Sequence, residues 1–140
     1  MAKYIVDKLG VVNLTPLKLQ KLVYYCQAWS LVWEERPLFK EDFQAWANGP
    51  VCYELFALHK GLFALPEKFL DKFKNHDFSE KDKTTIESVL NHYGDKEPFY
   101  LSALTHQEYP WKNARGSTPP GEPSDKLITK ESMQSYYSSL

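Results

Sequence analysis

The side chains best suited to nucleophilic, acid–base or metal chemistry in this sequence are four histidines, His59, His76, His92 and His106, and two cysteines, Cys26 and Cys52. The histidines fall in no HExxH or other metal-ligand spacing, and neither cysteine sits near one in sequence. A Gly-rich phosphate loop, a GxSxG elbow and a deaminase signature are all missing, so no cofactor and no metal are expected. A Cys–His pair brought together only by folding stays open. Cys52 is the better nucleophile of the two, because the sequence places it beside a helix amino end, where a thiolate is stabilised. Cys26 lies on the apolar face of the most buried helix. His106, close to Thr105, Glu108 and Trp111, is the most interesting titratable group. An imidazole that bridges two loops by hydrogen bonds is the reading favoured over a catalytic or ligand role.

The element that must position these groups is a long helix from Pro16 to Glu35, stopped by Pro37. Thr15 can cap it, and Pro16 at the first helical position gives up an N–H that has no helical partner. Leu19, Leu22, Val23, Cys26, Trp29 and Trp33 recur at helical spacing on one face. Most of the remaining circumference is apolar too, apart from a narrow polar stripe of Gln20, Gln27 and Glu34. Such a helix is normally buried by several neighbours, and at 1.5 Å per residue it spans roughly 30 Å. Its charges and polar stripe argue against a membrane span.

Around it the pattern predicts a short amphipathic helix over Ala2 to Leu9 and a strand over Glu41 to Trp46. A turn at Asn48-Gly49-Pro50 leads to a helix from Val51 to about Lys60. Gly61 to Phe78 is irregular, and its Lys68, Lys72 and Lys74 are offset by Glu67, Asp71 and Asp77. That favours a solvated segment over a nucleic-acid site. A clear helix follows Ser79 and ends near Gly94, and Pro98 opens another through about Thr105. Thr105 to Trp111 is expected as a tight connection, and 115–126, rich in Pro, Gly and Ser, as a mobile surface loop. Leu127-Ile128 suits a small strand pairing with Phe43–Trp46, and Thr129 caps a last helix carrying Met133, Tyr136 and Tyr137. The fold class is therefore mainly α. A single domain of about five to seven helices packs around the central one, with a small two- or three-stranded β element.

Length and composition agree. At 140 residues one domain is the default, and 43% hydrophobic with 25% charged residues is ordinary for a globular protein. The net charge of −1 supplies no global field toward nucleic acid or membrane. The two cysteines read as reduced core thiols rather than a disulfide framework. With no signal-like leader and no membrane span, a cytoplasmic protein is expected.

Four blocks in order resemble the Panacea domain family, the SocA-like or GepA-like proteins of bacteria and phages. They are LTPLKLQKLVYYCQAW at 14–29, PLF at 37–39, FQAWANGPV at 43–51, and TH followed by PW at 105–111. The motif residues are Thr15, Pro16, Lys18, Leu19, Gln20, Lys21, Trp46, Gly49, Pro50, Val51, Thr105, His106, Pro110 and Trp111. The resemblance covers essentially the whole chain. It implies a mainly helical domain with a small sheet, acting as the antitoxin of a toxin–antitoxin or prophage element, in some members through a protease. It carries no catalytic residue.

The expected function is thus non-enzymatic, with a cognate toxin protein as partner and self-association compatible with it. Exposed aromatics are the expected interface, with Tyr109, Trp111, Tyr136 and Tyr137 as candidates. The alternatives are a nucleic-acid-binding regulator of its own operon and a hydrolase using His106 or Cys52.

Overall fold

A computed structural model covers residues 1–140. Seven α-helices and one three-stranded sheet follow in the order α1 (Ala2–Leu9), α2 (Pro16–Trp33), β1 (Phe43–Trp46), β2 (Gly49–Cys52), α3 (Tyr53–His59), α4 (Glu80–Tyr93), α5 (Pro98–Gln107), α6 (Tyr109–Arg115), β3 (Leu127–Ile128) and α7 (Lys130–Ser138). A single 3-10 turn, Val11–Asn13, joins α1 to α2. Thr15 caps α2 as its sequence suggests, its hydroxyl accepting the Lys18 N–H at 3.1 Å. Of the 18 residues of α2, only Leu17, Trp29, Val32 and Trp33 escape full burial. Helices α1, α4, α5 and α7 and strand β2 enclose it.

Aromatic side chains make much of this core. The Tyr25 ring stacks on Tyr93 of α4 with centroids 4.1 Å apart, and Tyr24 meets Phe43 of β1 edge-on at 5.2 Å. Each fully buried ring removes enough apolar area from water to contribute about 1.5–3 kcal/mol. Ser79 and Thr129 cap α4 and α7, as their sequence positions suggest.

The sheet runs in the order β2-β1-β3, with both pairings antiparallel. Ile128 of β3 faces Phe43, and Leu127 faces Gln44, so the short strand read at 127–128 forms and pairs as expected. Three predicted boundaries differ. The central helix ends at Trp33 rather than Glu35, and the first strand begins at Phe43 rather than Glu41. Val51 and Cys52 belong to a strand, not to the following helix. The sequence predicts a helix opening at Pro50, but β2 is an edge strand, where a residue lacking an N–H is tolerated. Finally, Tyr109–Arg115 is a helix, where a connection was expected. Pro110 fits its first turn, where no helical N–H is needed.

The polar stripe of α2 does not face water. Gln27 donates to the Phe39 carbonyl and accepts the Leu38 N–H, both at 2.8 Å, and Ser30 donates to the Arg36 carbonyl at 2.8 Å. These side chains complete the hydrogen bonds of an irregular segment that lacks a ladder of its own. Segment 115–126 is irregular, as predicted, but it is wound around the side chain of Arg115. That guanidinium is 3% exposed and donates to the carbonyls of Ala45, Pro119 and Glu122 at 2.7–2.9 Å.

A cleft built on the amino end of the central helix

The first turns of α2 form one wall of a cleft of about 1080 Å³. Thr15, Pro16, Gln20 and Lys21 come from that helix. Trp46 and Val51 come from the hairpin, Tyr53, Phe56 and His59 from α3, and Phe99 from the start of α5. Pro123 to Asp125 of the long loop close one side. Six of the motif residues read from the sequence, Thr15, Pro16, Gln20, Lys21, Trp46 and Val51, therefore line one cavity.

Gln20 organises this wall. Its amide oxygen accepts the Cys52 N–H at 2.9 Å, and its nitrogen donates to the Cys52 carbonyl at 3.2 Å and to His59 Nε2 at 3.0 Å. All three amide bonds go inward, so the side chain works as a piece of backbone pairing with β2. His59 receives that proton on Nε2, which requires a neutral ring with its hydrogen on Nδ1. Burial, and then the nearby Lys21 charge, lower its pKa and hold it in that form.

Lys21 is fully buried, and its ammonium donates to the Pro50 carbonyl at 2.9 Å. No carboxylate stands within ion-pair distance of it. Desolvation without a counter-charge brings its pKa down to about 7. Gly49 is required beside it. Its φ is +115°, and a Cβ there would lie 2.6 Å from Lys21 Cε and 2.9 Å from Thr105 Oγ1. Thr105 in turn donates to the Ser102 carbonyl at 2.7 Å, and Ser102 donates to Asn48 at 2.6 Å. The motif positions 21, 49, 50 and 105 thus form one packed joint between α2, the hairpin and α5.

The His106 ring lies flat on Trp111, centroids 4.0 Å apart, and the Arg115 guanidinium covers the Trp111 ring at 5.0 Å. Trp111 Nε1 donates to the Trp46 carbonyl at 2.8 Å. The stacking on Trp111 and a hydrogen bond with the Ala47 backbone hold His106 in place, and its Nε2 is buried with no partner. Burial and the charges of Lys21 and Arg115 lower its pKa.

Both thiols are free and buried, the reduced core cysteines that the sequence suggests, although Cys52 sits in a strand rather than a helix. Burial raises Cys52 to about 11, and the full burial of Cys26 raises that thiol further. The helix amino end does not rescue Cys52 as a nucleophile, because the chain buries it in β2 against α2.

Of the aromatics expected at an interface, Tyr109 is 54% exposed, whereas Trp111 and Tyr136 are only partly so. Tyr137 is 1% exposed and is therefore no surface residue. It packs on the core face of α7, where its hydroxyl donates to Glu108 Oε1 at 2.7 Å, the same oxygen that takes the Tyr25 hydroxyl proton at 2.7 Å. The sequence reading missed the most exposed aromatics, Phe63 at 97% and Phe99 at 81%, which rim the cleft. Phe63 follows Gly61 in a segment without helical or alternating spacing, so periodicity could not assign it a side.

The family model for the antitoxin SocA-like Panacea domain matches residues 19–112, a span that contains most of the cleft and all of the Lys21–Gly49–Thr105 joint. No curated protein and no solved structure matches the chain. The match covers more than half of the sequence and the four blocks largely fall inside it: the chain belongs to the antitoxin SocA-like family with a Panacea domain.

Proposed function

We propose that this chain is a non-enzymatic, cytoplasmic antitoxin that neutralises a cognate toxin by binding it. The observation that carries this reading is the apolar rim of the cleft in an antitoxin-family domain. Phe63 and Phe99 place whole phenyl rings in water beside the half-exposed Tyr53 and Leu62. A contiguous apolar patch around a concavity is the usual mark of a protein-binding surface. Binding there hides the toxin's site or presents the toxin to a protease. Both thiols are buried with raised pKa values, which counts against the alternative of a hydrolase using Cys52.

The test is co-expression with the protein encoded next door. The expected outcome is that the neighbour arrests growth alone, is harmless with this chain, and co-purifies with it. Rescue without a complex, or a harmless neighbour, overturns direct neutralisation.

A further inference from the structure

A second cavity, of about 730 Å³, lies between the amino end of α2 and the carboxyl end of α4. Thr15 and Lys18 line it from α2, Leu90 and Asn91 from α4, and Asp95 and Glu97 from the link to α5. Lys18 is 8% exposed. Its backbone N–H is bonded to the Thr15 hydroxyl at 3.1 Å, but its ammonium has no hydrogen bond and enters no ion pair. His106 Nε2 is the only wholly buried side-chain nitrogen or oxygen without a partner. The Lys18 ammonium is therefore open to the cavity while its stem is buried.

The position is unfavourable for a cation. Peptide dipoles concentrate positive charge at the amino end of α2, and no acid stands in its first turn to offset them. The opposite pole of the cavity is acidic. Asp95 follows the carbonyl end of α4, where a carboxylate is disfavoured in its turn, and shares its charge with Lys96 at 3.8 Å. Glu97 has no basic partner, and its carboxylate makes no cap bond to α5. One cation and two acids thus line a single cavity without closing on each other. A ligand with one charge would satisfy one pole and leave the other.

We propose that this cavity binds a small zwitterion, an α-amino acid with an apolar side chain. Its carboxylate pairs with Lys18 at the amino end of α2, with the Thr15 hydroxyl as a second donor. Its ammonium pairs with Glu97 and Asp95 at the carbonyl end of α4, and its side chain lies against Leu9, Leu14 and Leu90. The volume falls within the roughly 300–1,000 Å³ of small-molecule sites. Thr15 and Pro98 line both this cavity and the cleft, which places the site against one wall of the cleft. The assignment does not rest on the antitoxin reading.

The probe is L-leucine, with N-acetyl-L-leucine and L-leucinamide as analogues that each lack one charge. Binding to the full chain is followed by NMR at the side-chain amides of Asn13 and Asn91 in the cavity wall. The expected result is saturable binding of leucine, with each analogue about tenfold or more weaker, as the loss of a hydrogen bond to a charged group implies. Lys18→Met, which keeps the buried stem, should erase the advantage of leucine over leucinamide. Glu97→Gln, at an exposed position, should narrow its advantage over N-acetyl-leucine. N-acetyl-leucine binding as tightly as leucine makes the cavity a plain anion site, and leucinamide doing so makes it a cation site; either overturns the proposal. So does a lack of saturation at tens of millimolar leucine, the outcome if Lys18 and Glu97 close on each other in solution. Should Lys18→Met not fold, the three probes on the unaltered chain together with Glu97→Gln decide it.

Discussion

Replacing Lys21 with Met keeps most of the side-chain volume and removes the buried amine, which makes its effect on stability a function of pH. In the folded chain Lys21 releases its proton near pH 7. In the unfolded chain an ordinary lysine holds it to about 10.4. Between these values the unfolded state binds more protons, so the stability of the unaltered protein must rise with pH across that window. Integrating the two titrations from pH 7 to pH 9 gives a rise of about 2 kcal/mol, a large part of the roughly 5–15 kcal/mol that holds a domain together. Lys21→Met lacks this contribution. Urea unfolding of both proteins at several pH values gives two curves, and their difference isolates Lys21. The thiols and tyrosines with raised pKa values oppose the rise at the alkaline end, but they are common to both proteins and cancel. Losing the bond to the Pro50 carbonyl shifts the variant by a constant near 1 kcal/mol and leaves the slope untouched. Parallel curves from pH 7 to pH 9 would refute the uncompensated burial of this amine.

Gly49→Ala should destabilise the chain by about 2–5 kcal/mol, combining a left-handed backbone with a Cβ driven into Lys21 and Thr105; an unchanged urea midpoint would contradict the joint described above. Neither Cys26 nor Cys52 should react with an aromatic disulfide reagent at pH 8 in the native state, and both should react on unfolding. Rapid native labelling of Cys52 would reopen the nucleophile reading. Arg115→Lys removes the fork that reaches three carbonyls, each such bond contributing about 1.5–3 kcal/mol, and should make segment 116–125 cleave about tenfold faster in limited proteolysis with subtilisin.

The helical scaffold was legible because its signals are local. Thr15-Pro16, Ser79 and Thr129 announce helix starts by capping chemistry, and the nearly uniform apolar surface of α2 announces burial on all sides. The sheet was half legible. Pro50 carries the same missing N–H whether it opens a helix or sits in an edge strand, and only tertiary pairing decides between them. The short helix α6 spans too few residues for a hydrophobic period to register. At the site, the motif residues were in view, but not what they do. Gln20 and Gln27 look like a solvent stripe in one dimension, yet their amides are consumed by backbone groups 11 to 32 residues away. Lys21 looks like one of many lysines until its lack of a counter-ion is seen. Tyr137 was misjudged because its hydroxyl satisfies a buried acid, Glu108, whose own burial no local pattern reveals.

Gln20, Lys21, Gln27 and Ser30 hold the stretch from Arg36 to Cys52 almost entirely by its main-chain atoms. A grip on carbonyls and amides is indifferent to which side chains the gripped residues carry. Gln44, which lines the cleft from that stretch and is only half-buried, can therefore be exchanged with little penalty to the scaffold, whereas Trp46 packs its ring on Phe56. Gly49 is fixed by the lack of room around it, and Phe43 and Ala45 by their burial in the core. The chain separates what must stay constant from what is free to drift, so that descendants of one domain can retune their recognition surface without having to reinvent how they fold.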